Sequence, residues 1–130
     1  MYKLILTSFL CLFSFAQAQI TLKMNYFEEA NWDQSIGSWN VFNEFDVETS
    51  ITINEEFTVL YHDLGNNVEK YTIVDWTYDD DEMLMELIIK NNADNEYEMM
   101  VDLLNNYVIY FWFDENEVYQ FHRYTIYESN

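Results

Sequence analysis

Apolar and polar residues alternate along most of this chain. A period of two places successive side chains on opposite faces and is the signature of a β-strand. The frequent use of Val, Ile, Tyr, Phe and Trp agrees with that interpretation. The pattern predicts eight or nine short strands, at about residues 20–26, 38–48, 50–54, 56–62, 68–78, 83–90, 97–104, 107–113 and 118–127.

The segments between these strands are rich in Asn and Asp, because the chain has only two glycines and no proline. Both residue types tolerate a left-handed backbone and form local side-chain hydrogen bonds, so they suit tight turns. Helical periodicity is confined to a single predicted turn at residues 27–32, just before Gly37. The sequence therefore predicts an all-β antiparallel meander in one domain, residues 19–130.

Closure of the meander into a small barrel is the favoured architecture. An open sheet would leave two exposed edge strands. Eight strands enclose an interior that holds either side chains or one small ligand. An open antiparallel sheet and a β-sandwich are the alternatives.

Residues 1–18 resemble a secretory signal. Lys3 supplies the positive end, residues 4–15 are almost entirely apolar, and Ala16-Gln17-Ala18 fits the small-x-small cleavage pattern. The apolar run is shorter than the roughly 20 residues that span a bilayer. We therefore expect export to the periplasm or the extracellular space, without a membrane span. A buried N-terminal strand is the alternative.

The chain is strongly acidic, with 24 Asp and Glu against five Lys and Arg, a net charge of −19. Nucleic acid and anionic membrane surfaces would be repelled by such a charge. Basic proteins and divalent cations would be attracted, although acidic side chains also simply keep an exported protein soluble. Cys11, the single cysteine, lies within the predicted signal, so no disulfide is expected in residues 19–130.

Ile36-Gly37-Ser38-Trp39 resembles the G-x-W signature of lipocalins and of the short lipocalin-like domains found in bacterial exported proteins. The resemblance implies that a helical turn precedes the motif and that Trp39 plugs one end of the barrel. It also implies that an arginine of the last strand, here Arg123, lies across that ring and closes the barrel through a cation–π contact. The chain is shorter than full-length lipocalins, and its sequence stops just after the last predicted strand.

We consider two functions. In the first, the barrel holds a small apolar or amphipathic ligand on its inward-facing side chains. In the second, the barrel is filled, and an aromatic patch on the doubly apolar strand 107–113 docks a basic partner protein. The volume and lining of the interior would separate the two. The predicted ligand-binding residues are Phe45, Ile51, Ile53, Met85, Met99 and Val101.

No enzymatic constellation is recognised. His62 and His122, the two histidines, lie within strand patterns and are expected to be half-buried structural residues. Residues 79–82 (DDDE) suit a polar hairpin turn better than a calcium loop, because they lack the glycine and distal glutamate of an EF-hand. The sequence predicts a protein that is not an enzyme and needs no cofactor or metal, and whether residues 79–82 bind a cation is left open.

Overall fold

A computed structural model describes residues 19–130, which form one all-β barrel. Each strand pairs antiparallel with the next in the chain, and β1 also pairs with β8, so the meander closes. The predicted fold class is confirmed, and the predicted signal at residues 1–18 lies outside the described residues. The strands are β1 (Ile20–Asp33), β2 (Ser38–Ile53), β3 (Val59–Asp63), β4 (Val68–Asp79), β5 (Leu84–Lys90), β6 (Glu96–Asp102), β7 (Tyr107–Phe113) and β8 (Tyr119–Ser129).

The structure corrects two local predictions. Residues 38–48 and 50–54 were predicted as separate strands, but the structure joins them in the single 16-residue strand β2, which ends at Ile53. The predicted helical turn at residues 27–32 is wrong, because this segment continues β1 and pairs with β2 on one side and β8 on the other. Two neighbouring strands satisfy its backbone groups more completely than one helical turn could. Among residues 19–130, no helix is long and apolar enough to cross a membrane.

The turns are built by Asn and Asp side chains. The Asn91 Oδ1 accepts the backbone N–H groups of Ala93 and Asn95, and the Asp114 Oδ1 accepts those of Asn116 and Val118. Gly37 ends the β1–β2 turn with a φ of 65°, in the left-handed region that favours glycine. The Asp79 carboxylate accepts two backbone N–H groups within residues 79–82, so that acidic segment forms a hairpin turn.

A change of register near the β1–β2 turn decides which way Trp39 points. Glu29 pairs with Asn43, but Ala30 pairs with Val41, so Phe42 is an extra residue in β2. Such a bulge reverses the faces of the residues beyond it. Trp39 therefore lies on the outer face of the barrel, although its spacing from Phe45 and Ile51 predicts the inner face.

The barrel interior has two distinct halves. One, the aliphatic half, is closed and filled with side chains that are almost wholly buried. Phe57 of the β2–β3 loop packs against this core, with its ring 4.6 Å from that of Trp76. The aliphatic half consists mainly of Leu22, Met24, Ile51, Ile53, Leu60, Ile73, Met85, Leu87, Ile89, Met99, Val101, Val108 and Ile126. The other, the aromatic half, consists of Phe27, Phe45, His62, Tyr71, Tyr97, Tyr110, Trp112, His122 and Tyr124.

Candidate functional site

A cavity of about 360 Å³ opens into the aromatic half of the barrel. It exists because β2 is much longer than β3. Only residues 50–53 of β2 pair with β3, so the segment from 38 to 49 has no strand partner on that side. The cavity is lined by Phe27, Phe45, Val47, Glu48, Thr49, Leu64 and Tyr124.

Three aromatic rings form part of the cavity lining. The Phe27 ring lies 5.0 Å from the rings of both Phe45 and Tyr124, and 4.9 Å from that of His122. Phe45 stands at the mouth and is 47% exposed, whereas Phe27 and Tyr124 are buried. Tilted aromatic faces at these separations form a surface suited to a flat or apolar molecule.

Within the described part of the chain, the Tyr124 hydroxyl lacks a hydrogen-bond partner although its side chain is almost wholly buried. Its side chain is only 8% exposed, and nothing within residues 19–130 hydrogen-bonds the hydroxyl. Burial, together with the carboxylates of Glu69 and Glu29, raises the pKa of Tyr124 to about 12, so the hydroxyl is neutral and can donate. A buried polar group without a partner is uncommon in folded proteins and costs about 1–3 kcal/mol, which a bound ligand would recover.

Behind the cavity wall lies a fully satisfied polar network. The Thr49 hydroxyl donates to the Asp63 carbonyl oxygen at 2.5 Å, so it must accept its contact of 2.9 Å from the His62 Nε2–H. The His62 Nδ1 then accepts the Tyr110 hydroxyl at 2.8 Å. This arrangement requires a neutral imidazole, and burial lowers the pKa of His62 to about 4. The network holds Thr49 in place on the cavity wall.

A second histidine supports the rim of the aromatic half. The His122 Nε2 lies 3.1 Å from the Glu29 carboxylate and joins β8 to β1. The Trp112 ring meets the His122 ring edge-on at 4.6 Å. His62 is buried, more deeply than its sequence pattern predicts, whereas His122 is half-buried. Within residues 19–130, no group of three or more His, Cys, Asp or Glu side chains is placed to hold a metal ion.

The barrel seam differs from the predicted arrangement of Trp39 and Arg123. The Arg123 guanidinium lies over the rings of Tyr107, at 4.4 Å, and Phe121, at 5.5 Å, and not across Trp39. It does join the last strand to the first, because its Nε and a terminal nitrogen donate to the two Glu28 carboxylate oxygens at 2.7 and 3.0 Å. Trp39 also packs against Phe121, with ring centres 4.6 Å apart. Both side chains lie on the outer face and contact Phe121, but the register places Arg123 opposite Glu28 and Trp39 opposite Trp32, four residues farther along β1.

The structure brings one of the six predicted ligand-binding residues to the cavity. Phe45 lines its mouth, whereas the other five lie in the aliphatic half, are at most 6% exposed and do not line it. The sequence pattern did not indicate Phe27, Thr49 and Tyr124 as lining residues. Tyr124 shares its parity with His122 and Ile126, but strand 118–127 is apolar on both faces, so parity could not say which face was inward. The five predicted ligand-binding residues that do not line the cavity are Ile51, Ile53, Met85, Met99 and Val101.

In comparisons with models of protein families, with curated proteins and with solved structures, the chain matches none.

Proposed function

We propose that this chain is an exported binding protein that holds a small, neutral or cationic amphipathic ligand in the cavity of its aromatic half. The observation that carries the proposal is a cavity of about 360 Å³ lined by Tyr124, a largely buried side chain whose hydroxyl has no hydrogen-bond partner within residues 19–130. Ligand pockets are typically apolar, measure a few hundred Å³ and contain few polar groups. This cavity has those properties, and the signal-like residues 1–18 support export.

The lining specifies the chemistry of the ligand. Phe27, Phe45 and Val47 would contact an apolar or aromatic body, and the Tyr124 hydroxyl would bond one polar atom. Glu48 is one of the lining residues, and the whole chain is strongly acidic. An anion would be repelled there, whereas a neutral molecule or an amine would not. The volume suits a molecule of one or two fused rings better than a long acyl chain.

A matched pair of dyes tests this proposal. N-phenylnaphthylamine is neutral, apolar and carries one N–H, and anilinonaphthalene sulfonate adds a negative charge to the same skeleton. Titration monitored by dye fluorescence should give at least tenfold tighter binding of the neutral dye. Phe45→Ala should abolish saturable binding. Tyr124→Phe should weaken it by about tenfold, the value of one hydrogen bond that is otherwise left unmade.

The control variant is Phe113→Ala, which removes an aromatic ring that is 65% exposed on the outer face. It should bind the neutral dye as the unmodified protein does. Equal binding of the two dyes would contradict the proposal, as would a loss in Phe113→Ala that matches the loss in Phe45→Ala. As a further expected outcome, native mass spectrometry of protein purified from its own host should reveal a bound small molecule that is neutral or cationic and amphipathic.

A further inference from the structure

A groove of about 400 Å³ runs across the outer face of strands β4 to β7. Its floor is apolar and contains Ile88, Met100 and Phe111. The register places these side chains on one face, because residues paired across antiparallel strands point the same way. Ile88 pairs with Glu98, and Glu98 in turn pairs with Phe111. The groove is therefore separate from the cavity inside the barrel.

Three carboxylates border this apolar floor. Asp75 pairs with Ile88, Glu86 pairs with Met100, and Glu98 lies between Ile88 and Phe111. All three are exposed, and among the ion pairs of residues 19–130 none involves them. Their negative charge is therefore available to a cation from another molecule.

An aromatic strip continues the floor at one end of the groove. Phe111 stacks on Tyr119 at 5.5 Å, and Phe113 stacks on the same ring at 4.6 Å. The Tyr119 hydroxyl donates to the Glu98 carboxylate at 3.2 Å, so an acidic group and aromatic faces lie side by side. This combination suits arginine, whose planar guanidinium can stack on a ring while it donates to a carboxylate.

We propose that this groove binds a basic, extended segment of a partner protein in which Arg or Lys residues alternate with apolar ones. In an extended segment, the apolar side chains would face Ile88, Met100 and Phe111, and the basic ones would reach the carboxylates. Charge complementarity selects this occupant, because an acidic protein or a nucleic acid would be repelled. The inference does not depend on the ligand proposed for the interior.

A fluorescein-labelled nine-residue peptide with three arginines alternating with leucine and tryptophan is the probe. Its anisotropy should rise on titration with the protein, and a counterpart with glutamine in place of arginine should bind at least tenfold more weakly. The triple variant Asp75→Asn, Glu86→Gln, Glu98→Gln should weaken binding of the arginine peptide at least tenfold. Raising the salt concentration should weaken binding to the unmodified protein more than to this variant.

A second triple variant carries the same change in charge away from the groove. It is Asp80→Asn, Glu55→Gln, Glu115→Gln, which alters exposed residues in three turns. Its affinity for the peptide should fall less than threefold. An equal loss in the two triple variants would overturn the proposal, because binding would then reflect the net charge alone.

Nuclear magnetic resonance of isotope-labelled methionine methyl groups tests the groove without any substitution. Peptide binding should shift the Met100 signal, which belongs to the groove, and leave that of Met24, which is buried inside the barrel. If saturating concentrations of the peptide leave the Met100 signal unchanged, the proposal is overturned. The neutral dye tests the interior cavity separately from the groove. Its binding should not shift the Met100 signal, whatever the result with the peptide.

Discussion

The two halves of the barrel interior are built from different side chains and solve different problems. In the aliphatic half, Ile51, Ile53 and Leu60 are fully buried, and the space is filled. In the aromatic half, the rings of Phe27, Phe45 and Tyr124 surround a cavity, and a polar network lies behind them. Close packing of branched side chains stabilises the fold. Large rigid rings instead leave space between them that a ligand can occupy.

The difference follows from strand length as well as from residue type. At the aliphatic end, β2 pairs with β3 through residues 50–53, so the wall is continuous. At the aromatic end, β2 extends alone beyond β3, and the barrel opens beside Leu64. The proposed site lies at the end of a barrel whose other half is well packed, so it can tolerate an unpartnered hydroxyl because the stability is supplied elsewhere.

The largest expected effect is in the aliphatic half. Ile51→Ala removes a fully buried side chain from a filled region, so the cavity that it leaves cannot collapse readily. We expect a loss of about 3–4 kcal/mol in the free energy of unfolding, measured by urea denaturation. Val74→Ala, at a position that is 53% exposed, is the control and should cost less than about 0.5 kcal/mol. Equal losses in the two variants would mean that the aliphatic half is not the stabilising one.

Acid should destabilise the protein through the aromatic half. The pKa of His62 is about 4 in the folded protein and about 6.5 in an unfolded chain, so the unfolded state binds more protons between these values. Stability is therefore present above pH 6.5 and falls as the pH drops towards 4. We expect His62 to contribute a loss of about 2 kcal/mol between pH 7 and pH 5. Urea denaturation at several pH values in this range should show that the free energy of unfolding depends less steeply on pH in His62→Gln than in the unmodified protein.

The hydrogen bond of Tyr110 to His62 tests the polar network on its own. Tyr110→Phe keeps the ring but leaves the His62 Nδ1 buried without a donor. We expect a cost of about 1–2 kcal/mol, measured by urea denaturation at pH 7. Tyr107→Phe serves as the control, because its ring lies on the outer face beneath Arg123. A cost of zero in Tyr110→Phe would show that the network does not hold the cavity wall.

The smallest expected effect on stability is at the cavity mouth. Phe45→Ala removes a ring that is 47% exposed, so we expect a cost of less than about 1 kcal/mol. The same variant should abolish binding of the neutral dye, so stability and binding should separate at this position. If Phe45→Ala lost as much free energy of unfolding as Ile51→Ala, Phe45 would be a core residue. The two halves of the interior would then not differ along β2.

Local pattern was sufficient to predict much of this fold. Alternation in segments such as 83–90 and 97–104 is a property of neighbouring residues, and it predicted strands that the structure contains as β5 and β6. The richness in Asn and Asp predicted the turns for the same reason, since an Asx side chain bonds its own nearby backbone. The acidic charge that underlies both proposals is likewise a property of composition alone.

Only the tertiary structure decided where the candidate site lies. The single extra residue at Phe42 turns Trp39 outward, and no local pattern marks it, because a bulge is defined by the pairing of two strands. The isolation of the Tyr124 hydroxyl depends on what β1, β2 and β3 bring near it. The opening of the cavity depends on how far β2 outruns β3. These are relations between residues distant in sequence, whereas alternation specifies only the two faces of each strand.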